Sequence, residues 1–248
     1  MCRSLCRFKN ISYKYRMVSC FCNNKIIDSF NSFNIRNNAQ CPSCKSLERH
    51  RFVMFFFNKN NINFEKTLHI APESQLTNLF TSISKNYICG DINPKRYKTP
   101  NIIQLDVTNI PFKNEFDFIF ASHILEHIID DRKAIKEIYN ALVVKGRFIT
   151  LVPQKLTLNT TYEDYSIVSE EDRKIHFGQK DHVRWYGLDF SQRLKDVGFY
   201  IKVHYVEGIE QYINNMIYDE KHQLATNEDS KKFRFLQNDI IYECIKTI

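Results

Sequence analysis

Two histidines set among acids, with an arginine close to one of them, are the residues of this 248-residue chain best suited to moving a proton. His182 follows Asp181 in Phe177-Gly-Gln-Lys-Asp-His-Val-Arg-Trp-Tyr-Gly187. An imidazole changes charge near neutrality and a neighbouring carboxylate can orient it, so the pair is a base that can take a proton from a hydroxyl or an amine. Arg184, two residues on, can bind an anionic group. His123 is the second candidate base, in the string Ser122-His123-Ile124-Leu125-Glu126-His127. Both strings also have plainer readings, with Glu126 and His127 as solvated turn residues and the Asp181 segment as a polar brace at a sheet edge.

A second chemistry belongs to the cysteines. Six of the eight Cys lie in the first 44 residues, and Cys41-Pro-Ser-Cys44 follows Cys20-Phe-Cys22. Four thiolates in two close pairs can close a tetrahedral structural zinc site, which supplies folding energy that a short segment lacks. The first pair is CxC where a regular ribbon has CxxC, so Cys2 or Cys6 can stand in for one ligand. Residues 1–51 also hold ten Lys and Arg against Asp28 and Glu48. Such a block favours an anionic partner, whether nucleic acid or a phosphorylated small molecule.

The elements that must position these residues are legible from their periodicity. Phe116–Ala121 is a short apolar run suited to a buried strand. Asp130 or Asp131 can cap a helix whose apolar face is Ala134, Ile135, Ile138, Ala141 and Leu142. Lys145-Gly146 ends it, and Arg147–Val152 is a second strand. Strand, helix and strand at this spacing make a βαβ unit, so the sheet is parallel and the polar turn after Phe116–Ala121 sits where such sheets bind ligands. Upstream, Thr67–Ile70 leads to Ala71-Pro72-Glu73 and a helix bearing Leu76, Leu79, Phe80 and Ile83, for which Ser74 can be the cap. Strands Tyr87–Gly90 and Ile102–Leu105 end in Asp91 and Asp106. An acid about 20 residues after the first turn is placed to hold the two ribose hydroxyls of a nucleoside. Ser46 can cap a helix running from the second cysteine pair through Leu47-Glu48-Arg49-His50-Arg51. After Gly187, a helix through Phe190, Leu194 and Val197 stops at Gly198, and Phe199–Tyr205 and Ile240–Ile245 supply two more strands.

Five strings, CPSCKSLERHR, HIAPE, the Asp91 and Asp106 strand ends, ASHILEHI with KGRFITLVP, and FGQKDHVRWYG, together resemble one branch of the class I S-adenosylmethionine-dependent methyltransferases. The members of that branch carry a short cysteine-bearing module before the catalytic fold. The resemblance implies an α/β fold with a seven-stranded, Rossmann-like sheet, mostly parallel with its last strand antiparallel, and a small zinc-ribbon-like N-terminal module. The expected division is residues 1–45 for the zinc module and 46–248 for the methyltransferase domain, with 153–187 as a substrate lid. S-adenosylmethionine is the implied cofactor, held by His69, Ala71, Glu73, Asp91, Ile92, Asp106, Val107, Ser122 and His123. Among these, Glu73 would accept the methionine ammonium, Asp91 the ribose, and Asp106 the adenine amino group, with Val107 packed on the ring. The chain has only six Gly and none in the first turn, so HIAPE stands where most relatives have a glycine-rich loop.

The same resemblance implies O-methylation of a small, anionic or phosphorylated metabolite or glycan intermediate. His123, His182 and Asp181 are the catalytic candidates, Arg184, Tyr186 and Gln179 the substrate-binding ones, and Cys20, Cys22, Cys41 and Cys44 the ligands of a structural zinc. Two alternatives remain: an RNA methyltransferase docked through the basic zinc module, and a non-catalytic zinc-ribbon nucleic-acid-binding protein on a methyltransferase scaffold. No run of transmembrane length and no signal-peptide core occurs, which places the expected protein in the cytoplasm without membrane contact.

Overall fold

The computed structural model describes residues 18–19, 26–27, 31–33, 36–98, 101–205 and 239–248. Their contacts separate at Asn61: the described residues up to Asn61 belong to one compact unit and those from Ile62 to another. In the first, Val18–Ser19 pairs with Ile26–Ile27, and Asn31–Phe33 with Arg36–Gln40, both antiparallel. Cys20 and Cys22 lie outside the described residues, as do the alternates Cys2 and Cys6. Helix α1, Glu48–Asn60, follows the second cysteine pair. Its N-cap is Leu47 and not Ser46. The Leu47 amide donates to His50 Nδ1 at 2.9 Å, while the Ser46 hydroxyl is engaged by the Cys44 thiol at 3.1 Å. Arg51 is fully buried and donates to the carbonyls of Ser46 (2.8 Å) and Ala39 (3.0 Å), so the SLERHR string pins the helix to the cysteine turn.

In the second unit seven strands form one sheet. Numbered in chain order, they are β1 Phe64–Ile70, β2 Ser84–Asp91, β3 Ile102–Gln104, β4 Phe116–Ser122, β5 Leu142–Leu151, β6 Phe199–His204 and β7 Ile241–Lys246. They lie in the order β6-β7-β5-β4-β1-β2-β3, with β7 antiparallel to both of its neighbours and the rest parallel. β4 is apolar at almost every position because a central parallel strand is covered on both faces. Its one acid, Asp117, accepts the amides of Glu65 and Lys66 at 2.8 Å and so closes the start of β1.

Helix α2, Ser74–Ser82, follows β1 and buries Leu76 and Phe80; its N-cap is Glu73, with no side-chain hydrogen bond, and not Ser74. Helix α3, Asp131–Ala141, is capped by Asp130, whose Oδ1 accepts the Lys133 amide at 2.9 Å, and buries Ala134, Ile135, Ile138 and Ala141. β5 starts at Leu142, five residues before the expected Arg147. Leu142 is already extended, and it pairs with Phe116 across a register slip in β4. The strand order reverses between β1 and β4. In an open α/β sheet that reversal leaves a crevice outside the carboxyl ends of the strands, where ligands bind.

Gly90, near the end of β2, keeps that edge tight: a Cβ there would lie 2.7 Å from Leu105 Cβ and 2.9 Å from Leu105 Cδ2. Gly90→Ala should therefore lower stability by about 1–3 kcal/mol, the usual cost of overpacking. Urea denaturation at constant m-value checks this, and an unchanged midpoint would show that β3 yields freely.

Candidate active site

At the first strand end the chain turns through Ala71, whose φ of +47° is the left-handed conformation that glycine normally supplies. Its amide donates to the Gly90 carbonyl at 2.8 Å, which ties the turn to β2. His69 lies beneath this turn, fully buried, with ring edges against Phe80 and Phe120. Its Nε2 receives the Glu73 amide at 3.4 Å, so Nδ1 carries the proton and donates to the Tyr87 hydroxyl at 2.8 Å. His69 thus supports the turn from inside the sheet.

Asp91 is buried at the end of β2. Its Oδ1 accepts the Asn93 amide and its Oδ2 the Tyr97 hydroxyl, both at 2.7 Å. Each oxygen keeps a further lone pair for a ligand hydroxyl. Ile92, the next residue, is 59% exposed and so offers an apolar surface for a flat ring. Asp106 is exposed, with Oδ1 accepting the Thr108 amide and hydroxyl at 2.8 Å, whereas Val107 is already packed into the core. A small left-handed turn, a buried acid, an exposed isoleucine and an exposed acid at successive strand ends fit the nucleoside and amino-acid parts of S-adenosylmethionine.

The β4 turn departs more from the sequence reading. Ser122 is buried, and His123 keeps the sheet hydrogen bond from its amide to Leu151 (2.9 Å) while adopting φ +53°. This left-handed step at a non-glycine residue turns the imidazole off the strand end, where 29% of the side chain is exposed. Its Nδ1 lies 3.5 Å from Glu126 Oε1. Glu126 is completely buried and is no solvated turn residue. His127 Nδ1 lies 3.2 Å from the Asp181 carbonyl and 3.4 Å from its Oδ2, and its Nε2 is 4.0 Å from Glu126 Oε1. The His182 ring meets His127 edge-on at a centroid distance of 4.7 Å. Asp181 therefore orients His127, and the carboxylate nearest in effect to His182 is Glu126. Burial of His182 holds its imidazole below the usual value despite the attraction of Glu126.

Arg184 is enclosed rather than open to a ligand. Its Nε donates to Glu163 (2.8 Å), Nη1 to the carbonyls of Leu125 (2.9 Å) and Ile128, and Nη2 to that of Ile129 (2.8 Å). With every nitrogen spent, it braces the β4 turn and does not bind an anionic group. Tyr186 is fully buried and donates to Asp131 Oδ2 at 2.7 Å, so it too belongs to the scaffold, while Gln179 is exposed. Arg193 completes the network, reaching Asp131 at 3.0 Å and Glu163 at 2.8 Å. Asp131, Glu163 and Arg193 carried no functional reading in the sequence, because nothing local marks three residues that meet only on folding.

The lid region is more regular than its sequence suggested. It contains helix α4, Glu170–Phe177, whose N-cap Ser169 accepts the Asp172 amide at 3.0 Å. The Ser-x-x-Asp pattern was the available signal. A two-residue ladder joins Tyr162–Glu163 to Arg184–Trp185. In the first unit, Cys41 and Cys44 share a tight turn. The Lys45 amide donates to the Cys41 carbonyl (3.0 Å), the Cys41 amide to the Ser46 carbonyl (2.9 Å), and the Ser46 amide to Cys44 Sγ (3.4 Å). Lys45 takes φ +62° there. Two sulfurs carried on one tight turn suit one half of a metal site.

Residues 72–150 match the model of a methyltransferase domain family. Among curated proteins, none matches the sequence. Several solved structures share the fold. A chain of a Haloferax volcanii complex containing the Trm112 methyltransferase activator aligns with a TM-score of 0.55 at 13% identity, over 81% of this chain and 91% of that one. The Archaeoglobus fulgidus S-adenosylmethionine-dependent methyltransferase gives 0.50 at 14% identity over 79% and 94%. The 1,6-didemethyltoxoflavin-N1-methyltransferase of Burkholderia thailandensis, solved with its small-molecule substrate and S-adenosylhomocysteine, gives 0.51 at 10% identity over 81% and 79%. The domain match and the shared sheet order ally this chain with the S-adenosylmethionine-dependent methyltransferases. No described helix is long and apolar enough to cross a membrane.

The ionic network makes a pH forecast. Desolvation opposes ionisation of Glu163, but the hydrogen bonds and charges of Arg193 and Arg184 outweigh it and hold the carboxyl below its ordinary 4.5. Its contribution is thus complete above that value and lost as pH falls through the lower, folded-state value. Wild type should lose more stability than Glu163→Gln when unfolding is compared at neutral pH and at pH below 4.5. Parallel curves would show that Glu163 contributes nothing through its charge.

Proposed function

We propose that the chain methylates a hydroxyl oxygen of a small, anionic metabolite or glycan intermediate, with His123 as the base. The observation that carries this reading is the left-handed φ of His123 at the end of β4, which sets a partly exposed imidazole at the mouth of the crevice with Glu126 behind it. Bound S-adenosylmethionine would supply an electrophilic methyl group. The protein's own work is to align the acceptor with that methyl and to remove the hydroxyl proton. Glu126 Oε1 lies 3.5 Å from His123 Nδ1.

Ala71 and Glu73 would hold the methionine part, Asp91 the ribose, Ile92 one face of the adenine and Asp106 its amino group. His182 is the alternative base, set deeper behind His127. With Arg184 spent on the turn, what supports an anionic acceptor is the net positive charge of residues 1–51. That block equally suits an RNA backbone, which keeps RNA methylation as the second reading. Cys20, Cys22, Cys41 and Cys44 would hold one structural zinc, and its removal should unfold the module that carries them.

Three outcomes check this reading. Asp91→Ala should weaken S-adenosylmethionine binding by about 1–3 kcal/mol in calorimetry, as the loss of a buried hydrogen-bond partner does; unchanged affinity places the nucleoside elsewhere. His123→Ala should lower kcat by roughly 100-fold or more while leaving that affinity nearly intact. Full turnover in this variant, with loss of turnover in His182→Ala, transfers the role of base to His182. Labelled methyl groups should pass to a metabolite extract and not to total RNA; the reverse result selects the RNA reading.

A further inference from the structure

We propose that Glu126, His127 and His182 form a binding site for a divalent transition-metal ion, with Zn2+ the best fit, separate from the cysteine set. One ligand atom from each of the three lies within 4.8 Å of the others. The spacing is a little wider than the roughly 3.4 Å that separates donors bound at about 2.1 Å around a tetrahedral ion. Small side-chain rotations close it.

Three features set this group apart from a chance cluster. Glu126 is 0% exposed and neither carboxylate oxygen has a hydrogen-bond partner. A fully buried carboxyl group without a hydrogen-bond partner is costly, and a bound cation would satisfy it. The neighbouring imidazoles do not: the contacts of Glu126 Oε1 to His123 Nδ1 and His127 Nε2 are 3.5 and 4.0 Å, too long for good hydrogen bonds.

The orientation of His127 is the second feature. Its Nδ1 faces the Asp181 carbonyl at 3.2 Å, which places the proton on Nδ1 and leaves the Nε2 lone pair pointing towards Glu126. Metal-bound imidazoles are held in this way, with the second nitrogen donating to a carbonyl or carboxylate. The third feature is His182, which is buried with Nδ1 unpartnered. Two imidazoles and one carboxylate make a ligand set that zinc accepts with its fourth position open.

The site adjoins His123, which directly follows β4 and whose Nδ1 lies 3.5 Å from Glu126 Oε1. There the ion would act as a Lewis acid on an acceptor oxygen and lower the pKa of its hydroxyl. That role rests on the O-methylation reading; the metal site itself does not.

The test is Co2+ titration of the full-length chain after chelator treatment, in the absence of cofactor and acceptor. A cobalt equivalent with the visible spectrum of nitrogen and oxygen ligands, without a thiolate charge-transfer band, is expected. Glu126→Gln and His127→Ala should each weaken it by more than roughly 100-fold, beyond the loss of an outer-shell partner. Zn2+ should displace it in the wild type. Melting curves recorded without metal identify a variant that fails to fold, and the other variant then decides. If all bound cobalt shows the thiolate band, or if both folded variants take up as much as the wild type, the site does not exist. Because no methyl transfer is read, a wrong acceptor assignment cannot mimic that failure.

Discussion

The buried guanidinium of Arg184 is the interaction on which the candidate site depends. A charge that is fully enclosed needs acceptors at each nitrogen, and Arg184 finds them in Glu163 and the carbonyls of Leu125, Ile128 and Ile129. Those carbonyls belong to the irregular turn after β4, where no strand or long helix would pair them. One side chain from the segment 153–187 therefore fixes the backbone that carries Glu126 and His127. In the same segment, the Val183 amide donates to the Glu126 carbonyl at 2.9 Å. His182 is thereby brought against His127, and three groups from two distant parts of the chain converge.

Around this brace the sheet supplies the rest. Parallel strands ending in Ala71, Asp91, Asp106 and Ser122 line the crevice at the reversal of strand order. The usual glycine of the first turn is replaced by Ala71 in a left-handed conformation, tied by its amide to Gly90 and supported below by His69. The turn is thus stiffened by specific contacts where a glycine-rich loop would rely on backbone freedom. Asp131, Glu163, Arg184 and Arg193 alternate in charge, so neither the acids nor the arginines are left unbalanced in the interior.

Much of the frame was legible from periodicity. The β4 run and the α3 face follow from patterns that short windows contain, whereas the antiparallel final strand was implied by the family resemblance alone. The misplaced details have local causes. Ser46 was read as a cap because serine commonly is one, yet its hydroxyl is held by Cys44 and His50 receives the Leu47 amide instead. Arg184 was read as an anion binder because a charged residue beside a histidine suits a site, but charge and spacing do not reveal burial. Glu126 passed as a turn residue for the same reason. Its enclosure depends on residues 181–184, more than 50 positions away, and only the folded chain brings them together.

If Arg184 ties the β4 turn to residues 181–184, the two should open as one unit. Hydrogen exchange of the wild type and Arg184→Lys tests it directly, since lysine cannot reproduce the forked donation. The amides of His127, Ile128 and Val183 should show a common opening free energy in the wild type and lose protection together in the variant. Faster exchange at Val183 with wild-type protection at His127 and Ile128 would show that the turn holds its shape without Arg184.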